Sequence, residues 1–131
     1  MFCNNYIYFG SNVLDESVKT IVLCEVGSSK NKTVISSEVK KSQLFYETID
    51  FSKNIASQIC VVLQKHQILS VIIEGGTQTL QTFIDANLWD EALVFIGETT
   101  FKKGVKAPVL PAKITSKEKI KNDILKIYKN D

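Results

Sequence analysis

Residues 71–89 read VIIEGGTQTLQTFIDANLW, and this stretch decides how the rest of the chain is interpreted. Ser70 and the apolar residues Val71, Ile72 and Ile73 predict a short buried strand at its start. Two glycines follow, and apolar residues then recur at helical spacing. Leu80, Phe83 and Ile84 fall on one face of that helix. The stretch therefore predicts a strand, a tight turn and a helix.

The turn contains Gly75 and Gly76. Because glycine has no Cβ atom, the backbone there can adopt positive φ and another molecule can approach the main chain closely. Thr77 or Thr79 is expected to cap the helix, whose first amides point outward at the positive end of the helix dipole. Such a helix start suits a phosphate or pyrophosphate. The alternative, commoner for a short glycine motif, is that the glycines only reverse the chain.

Glu74 stands directly before the two glycines. A carboxylate that follows an apolar strand lies at the mouth of the sheet, where ligands of open α/β sheets bind. It can accept a hydrogen bond from a sugar hydroxyl or an amine. The alternative is an ordinary solvated charge at the end of a strand.

The longer run EGGTQTLQTFIDANLWDEALVFIG, residues 74–97, resembles the reductase domain of the bifunctional riboflavin-biosynthesis deaminase/reductase, whose fold is like that of dihydrofolate reductase. The family pattern is matched in order by Glu74-Gly75-Gly76, Leu80, Phe83-Ile84, Leu88-Trp89-Asp90-Glu91 and the apolar residues 92–96. Weaker similarity covers KTIVLCE at residues 19–25, the helix after Asp50 and the hairpin-like tail. Together these segments are similar to the carboxyl-terminal part of that domain.

The resemblance implies an NADPH-dependent reduction of the ribosyl group of 5-amino-6-(5-phosphoribosylamino)uracil to a ribityl group. It implies that Glu74 contacts this pyrimidine ribosyl phosphate substrate. It also implies that the turn and the start of the helix hold the NADPH phosphates, through Gly75, Gly76, Thr77, Gln78, Thr79, Leu80, Gln81 and Thr82. No residue is assigned to catalysis, because the hydride comes from the cofactor.

The chain departs from the family at its amino-terminal side. The first reductase strands, the Ser-Leu-Asp-Gly segment, a ligand-contacting lysine and a Gly-x-x-Thr loop have no counterpart, and neither does the deaminase zinc site. We therefore expect residues 1–131 to form a single, partial reductase domain without deaminase activity. Two alternatives are a small nucleotide- or phosphate-binding module without catalysis and a non-catalytic domain that forms a homodimer through an exposed sheet edge.

Composition indicates a soluble globular protein. Of the 131 residues, 44% are hydrophobic and 23% charged, no apolar run has the length of a bilayer span, and Met1–Ser11 does not resemble a signal peptide, so a cytoplasmic location is expected. The net charge is +2 and all sixteen basic residues are lysines, which disfavours nucleic-acid binding. Three cysteines without paired spacing predict neither disulfides nor a zinc site. His66, the only histidine, is expected to complement the dipole at a helix end.

The remaining elements follow from local patterns. Asp50 or Ser52 is expected to cap a helix whose buried face carries Ile55, Ile59, Val62 and Leu63. Strands are predicted at Tyr6–Phe9 (or a frayed end), 20–24, 33–35, Leu44–Ile49, Ala92–Ile96, Lys113–Ile120 and Asp123–Tyr128. The fold class is thus α/β, with a three-layer, mixed and mostly parallel sheet, flanking helices and a terminal antiparallel hairpin. This order agrees with the incomplete dihydrofolate-reductase-like fold that the resemblance implies.

Overall fold

The computed structural model describes residues 6–9, 19–26, 44–100 and 102–130, and it is a mixed α/β structure. The elements are β1 (Tyr6–Phe9), β2 (Thr20–Glu25), β3 (Leu44–Ile49), α1 (Ile55–Lys65), α2 (Thr77–Asp85), β4 (Glu91–Ile96), β5 (Ile114–Ile120) and β6 (Asp123–Lys129). The chain divides into two compact units, Met1–Val71 and Ile72–Asp131. Each unit contains one three-stranded sheet.

The first unit is built around β2, which lies between β1 and β3. Its apolar residues are almost fully buried, as the sequence predicted for a central strand. β1 runs antiparallel to β2, whereas β3 is parallel to it. Burial raises the pKa of the Cys24 thiol, so this cysteine behaves as a small core residue. The predicted strands at Tyr6–Phe9 and Leu44–Ile49 are confirmed.

Helix α1 follows β3 and packs against it. Its buried face carries Ala56, Ile59, Val62 and Leu63, close to the predicted set. The predicted caps, Asp50 and Ser52, are wrong. Asn54 caps the helix, because its side-chain oxygen accepts the Ser57 amide at 3.0 Å, while Asp50 instead accepts the Ser52 amide and hydroxyl within the preceding turn.

The second unit contains α2 and an antiparallel sheet in the order β4-β6-β5. Phe83, on the predicted apolar face of α2, is 4% exposed. The terminal hairpin is confirmed and turns at Lys121, whose φ is 55°. The side-chain amide of Asn130 donates to the carbonyl of Trp89 and to Oδ1 of Asn87, both at 2.9 Å. This amide therefore ties the end of β6 to the segment between α2 and β4.

Two predictions about the sheet are wrong for the described residues. Residues 70–73 are not in a strand, and Val71 and Ile72 are 40% and 83% exposed. An apolar run becomes a buried strand only when neighbouring strands pair with it, and no described strand does so here. The sheets are also not mostly parallel, since β2–β3 is parallel and the other described pairs are antiparallel. Among the described residues no helix separates β4, β5 and β6, so these strands pair antiparallel without a helical crossover.

Some predicted features fall outside the described residues. These are the brief strand at residues 33–35 and Cys3, one of the three cysteines. The expectation of a single domain over residues 1–131 stays a prediction beside the division into two units.

Candidate functional site

The glycine turn has the geometry that requires glycine at its first position. Gly75 adopts a φ of 148°, a conformation that side-chain-bearing residues rarely adopt. A Cβ atom added there would lie 3.9 Å from the Thr79 side chain, so the constraint is backbone strain and not crowding. The sequence expectation of positive φ at this turn is therefore confirmed at Gly75.

Gly76 is the N-cap of α2, with φ −70° and ψ 162°. No side chain of the described chain caps the helix at this end, and Leu80 donates an amide to the Gly76 carbonyl at 3.3 Å. The amides of Thr77 and Thr79 precede that first intrahelical bond and point out of the helix. A Cβ atom added at Gly76 would meet nothing within 4 Å, so the position that a side chain of this residue would occupy is open.

The predicted capping by Thr77 or Thr79 is wrong. The helix begins at Thr77 itself, so both threonines lie inside its first turn, beyond the position from which a side chain caps the end. The Thr77 hydroxyl donates instead to the backbone carbonyl of Lys106. The uncapped start leaves the helix amides to be satisfied by solvent or by a ligand.

Lys106 is a candidate residue that sequence reasoning missed. Its carbonyl is fixed beside the start of α2, and the residue is exposed. Its backbone therefore lies near the start of α2, and a lysine side chain is one that can pair with an anion. The separation of 29 residues carries no local pattern, so only the folded chain brings Lys106 and Thr77 together.

The later residues of the predicted cofactor set are engaged in the second turn of α2. Gln81 accepts the Val109 amide at 2.8 Å and donates to Asp85 at 2.7 Å. The Thr82 hydroxyl donates to the Gln78 carbonyl at 2.8 Å, and Leu80 is half-buried. The turn and the first helical turn therefore group Gly75, Gly76, Thr77, Gln78 and Thr79, while Leu80, Gln81 and Thr82 shape the helix behind them.

Glu74 is exposed and directly precedes Gly75, so its carboxylate lies on the residue before the turn. It does not follow a strand, because residues 70–73 are not in one. The prediction that Glu74 follows a strand, at the mouth of a sheet, is therefore wrong. Glu74 stays a candidate site residue only because it lies two residues before Gly76, the N-cap of α2.

A groove lies beside the segment that follows Lys106. It has a volume of about 520 Å³ and is lined by Val94, Ala107, Pro108, Leu110, Ala112, Lys113, Ile114 and Tyr128. The lining residues are mostly apolar, and Lys113 and Tyr128 are the two among them with polar side-chain groups. No local sequence pattern indicates this groove, because its lining comes from β4, β5, β6 and the segment between β4 and β5.

The first unit holds a charged cluster at the end of α1. Glu47 accepts hydrogen bonds from Lys65 and from His66 Nε2, at 2.9 and 2.8 Å. Burial raises the pKa of Glu47, but the hydrogen bonds and charges of Lys65 and His66 outweigh it, so the pKa lies below its ordinary value. The His66 ring also meets Phe45 edge-on, with centroids 5.1 Å apart. These contacts give His66 a structural role beyond the predicted one at the helix end.

No group of three or more metal-ligating side chains occurs among the residues that the structure describes, and no helix there is long and apolar enough to cross a bilayer. Compared with protein-family models and with curated proteins, the chain matches none of them. The resemblance carried by residues 74–97 therefore stays an expectation from the sequence.

Proposed function

We propose that the Gly75-Gly76 turn and the first turn of α2 bind the phosphates of NADPH, as part of a reductase acting on 5-amino-6-(5-phosphoribosylamino)uracil in riboflavin biosynthesis. One observation carries the proposal. The helix start behind the glycines has no side-chain cap, and the space where a Gly76 side chain would stand is empty. The ordered sequence resemblance over residues 74–97 supplies the identity of the cofactor.

The chemistry of the turn fits a phosphate group. Phosphate oxygens accept hydrogen bonds from outward-pointing amides, and the helix dipole favours their negative charge. Hydrogen bonds to charged groups are stronger than those between neutral groups. Lys106, held beside Thr77, meets the need for a cation in a chain without arginine. These residues supply a binding surface for an anion. Because no side chain caps the helix there, no cap has to move before the anion binds.

NADPH, when bound, supplies the hydride that reduces the ribosyl group of the substrate. The protein orients the cofactor and the substrate. The turn holds the phosphates of NADPH, and Glu74 accepts a hydrogen bond from a substrate hydroxyl. A dihydrofolate-reductase-like fold and a cytoplasmic location accompany this proposal. The parallel β2–β3 pair with α1 after it, and the antiparallel terminal hairpin, are features that such a fold contains and support the assignment.

A fluorescence titration of the full chain tests the proposal. NADPH, NADH and inorganic pyrophosphate are added to the unmodified chain, to Gly75→Val/Gly76→Val and to Gly76→Val alone. The single variant is the cleaner probe, because Gly76 has a φ that valine can adopt and its side chain would enter open space. Gly97→Ala is the matched control, since its added Cβ lies at an ordinary 3.6 Å from Asp123.

We expect saturable NADPH binding that weakens about 10- to 100-fold in Gly76→Val, which corresponds to losing one or two hydrogen bonds to a charged group. Gly97→Ala should bind as the unmodified chain does. Absence of NADPH binding by the folded chain would overturn the reductase proposal. Binding of pyrophosphate and both dinucleotides alike, lost in Gly76→Val, would favour the second candidate, a general phosphate-binding module, which the same uncapped helix start supports.

A further inference from the structure

Three polar side chains lie along one side of α2. Thr77, Gln81 and Asp85 are spaced four residues apart, which places each of them next to the following one on the helix surface. The Thr77 hydroxyl donates to the carbonyl of Lys106, and the Gln81 side chain is bonded to the backbone of Val109. Residues 106–110, here named the strap, are therefore held along α2 by side chains of the helix.

The hydrogen bonds of Gln81 fix the orientation of its side-chain amide. Its Oε1 accepts the Val109 amide at 2.8 Å. Its Nε2 donates to Asp85 at 2.7 Å and, at a longer 3.4 Å, to the Val109 carbonyl. A backbone N–H only donates and a carboxylate only accepts, so neither bond would survive an exchange of the amide oxygen and nitrogen. Asp85 thereby holds Gln81 in the orientation that binds both backbone groups of Val109.

The strap also contributes to the groove. Ala107, Pro108 and Leu110 line the groove, whereas Lys106 and Val109 are the residues bonded to α2. No residue from 102 to 113 is in a helix or a strand. The position of this wall of the groove is therefore set by contacts such as the hydrogen bonds between the strap and α2.

We propose that Thr77, Gln81 and Asp85 form a latch, from which the strap opens as one unit and carries one wall of the groove with it. Hydrogen bonds to water can replace each latch bond at a small net cost. Helix α2 keeps its backbone hydrogen bonds when the latch opens, because the latch uses only side chains of the helix. Such a local opening requires less free energy than unfolding of the whole chain. The proposal does not depend on the proposed function, because it concerns contacts within the chain and is tested without a ligand.

Hydrogen exchange at the Val109 amide, measured by NMR on the full chain without a ligand, tests the proposal. Thr77→Val removes one end of the latch and leaves the bond between Gln81 and Val109 in place. If the strap opens as one unit, the Val109 amide should exchange about fivefold faster in this variant, which corresponds to losing one hydrogen bond. The amides of Leu80 and Ala86, which are bonded within α2, should keep their exchange rates. Unchanged exchange at Val109, or an equal rise at the helix amides, would overturn the proposal.

Backbone ¹⁵N relaxation of the strap is a second and independent measurement. Gln81→Leu removes the centre of the latch. We expect the order parameters of Ala107 and Leu110 to fall from a rigid value of about 0.85 to below about 0.6. Gln78→Leu is the matched control, because it is the same substitution at an exposed position of the same helix, and the strap should stay rigid in it. Loosening confined to Val109, or equal loosening in both variants, would overturn the proposal.

Conservative replacement tests the positioning role of Asp85. Asp85→Asn retains an oxygen that accepts a hydrogen bond from Gln81, so exchange at the Val109 amide should stay near its original rate. Asp85→Ala lets the Gln81 amide rotate and should raise that rate about two- to fivefold. An unchanged rate in Asp85→Ala, or an equal rise in both variants, would refute the latch as a three-residue device.

Discussion

Replacing Gly76 by aspartate should stabilise the protein while it removes phosphate binding. Gly76 already has the extended backbone of an N-cap residue, and it offers no side-chain oxygen to the helix amides. Aspartate there accepts an amide of the first helical turn, as cap residues do. The same carboxylate stands in front of those amides and repels a phosphate.

The size of the effect follows from three contributions. Replacing a glycine at the N-cap by a residue with a capping oxygen raises the free energy of unfolding by a few tenths of a kcal/mol. Loss of glycine's freedom in the unfolded chain adds about 0.4–1 kcal/mol, because the native φ suits an ordinary residue. A negative charge at a helix N-terminus adds about 0.3–1 kcal/mol. Gly76→Asp should therefore raise the free energy of unfolding by about 1–2 kcal/mol, and Gly76→Asn by about 1 kcal/mol.

Gly75→Ala is the contrasting variant, with the opposite sign. Its φ of 148° is one that alanine does not adopt without strain, which costs on the order of 1–3 kcal/mol. Urea unfolding followed by the fluorescence of Trp89, the single tryptophan, measures all three variants. The urea midpoint should rise in the two Gly76 variants and fall in Gly75→Ala, at an unchanged m-value. A destabilised Gly76→Asp, or a neutral Gly75→Ala, would refute the assignment of the N-cap and of the strained turn.

Three further predictions concern stability. Phe83→Ala should lower the free energy of unfolding by about 3–5 kcal/mol in the same urea assay, because Phe83 is almost fully buried. Asn130→Ala should lower the free energy of unfolding by about 1–2 kcal/mol, since the hydrogen bonds of its side-chain amide to Asn87 and Trp89 are lost. An unchanged urea midpoint would contradict a stabilising role for these hydrogen bonds. Glu47→Gln should cost about 1 kcal/mol at neutral pH. The pKa of Glu47 is lowered in the folded chain, so its contribution exists above the ordinary glutamate pKa and is lost as the pH falls through the lowered value. The difference between the two chains should therefore vanish in acid.

The elements with strong local signals were predictable from sequence. β2 is a continuous apolar run, α1 shows apolar residues at helical spacing, and the terminal hairpin joins two strands through a short polar turn. The helix and the hairpin pair with residues close in sequence, and β2 has β1 and β3 on its two sides to pair with. Residues 70–73 carry an equally strong apolar signal, yet a strand also needs partner strands, and their presence is not written in the run itself.

The candidate site shows the same division. Positive φ at Gly75 was predictable, because adjacent glycines before a helix predict an unusual turn. The N-cap residues were not predictable. Asn54 caps α1 and Gly76 is the N-cap of α2 because the backbone changes from extended to helical there, and several nearby residues, such as Thr77, are equally plausible caps by sequence. Lys106 was beyond local reasoning, because a hydrogen bond across 29 residues depends on the folded path of the chain.

The most direct test of the cofactor site is a two-dimensional ¹H–¹⁵N NMR titration of the full chain with NADPH, with inorganic pyrophosphate as a second ligand. We expect the largest amide shifts at Gly76, Thr77, Gln78 and Thr79. Pyrophosphate should reproduce part of these shifts, and Gly76→Asp should remove them. Unmoved amides in this turn, with shifts confined to the groove at Lys113 or absent throughout, would contradict the claim that the helix start holds the phosphates.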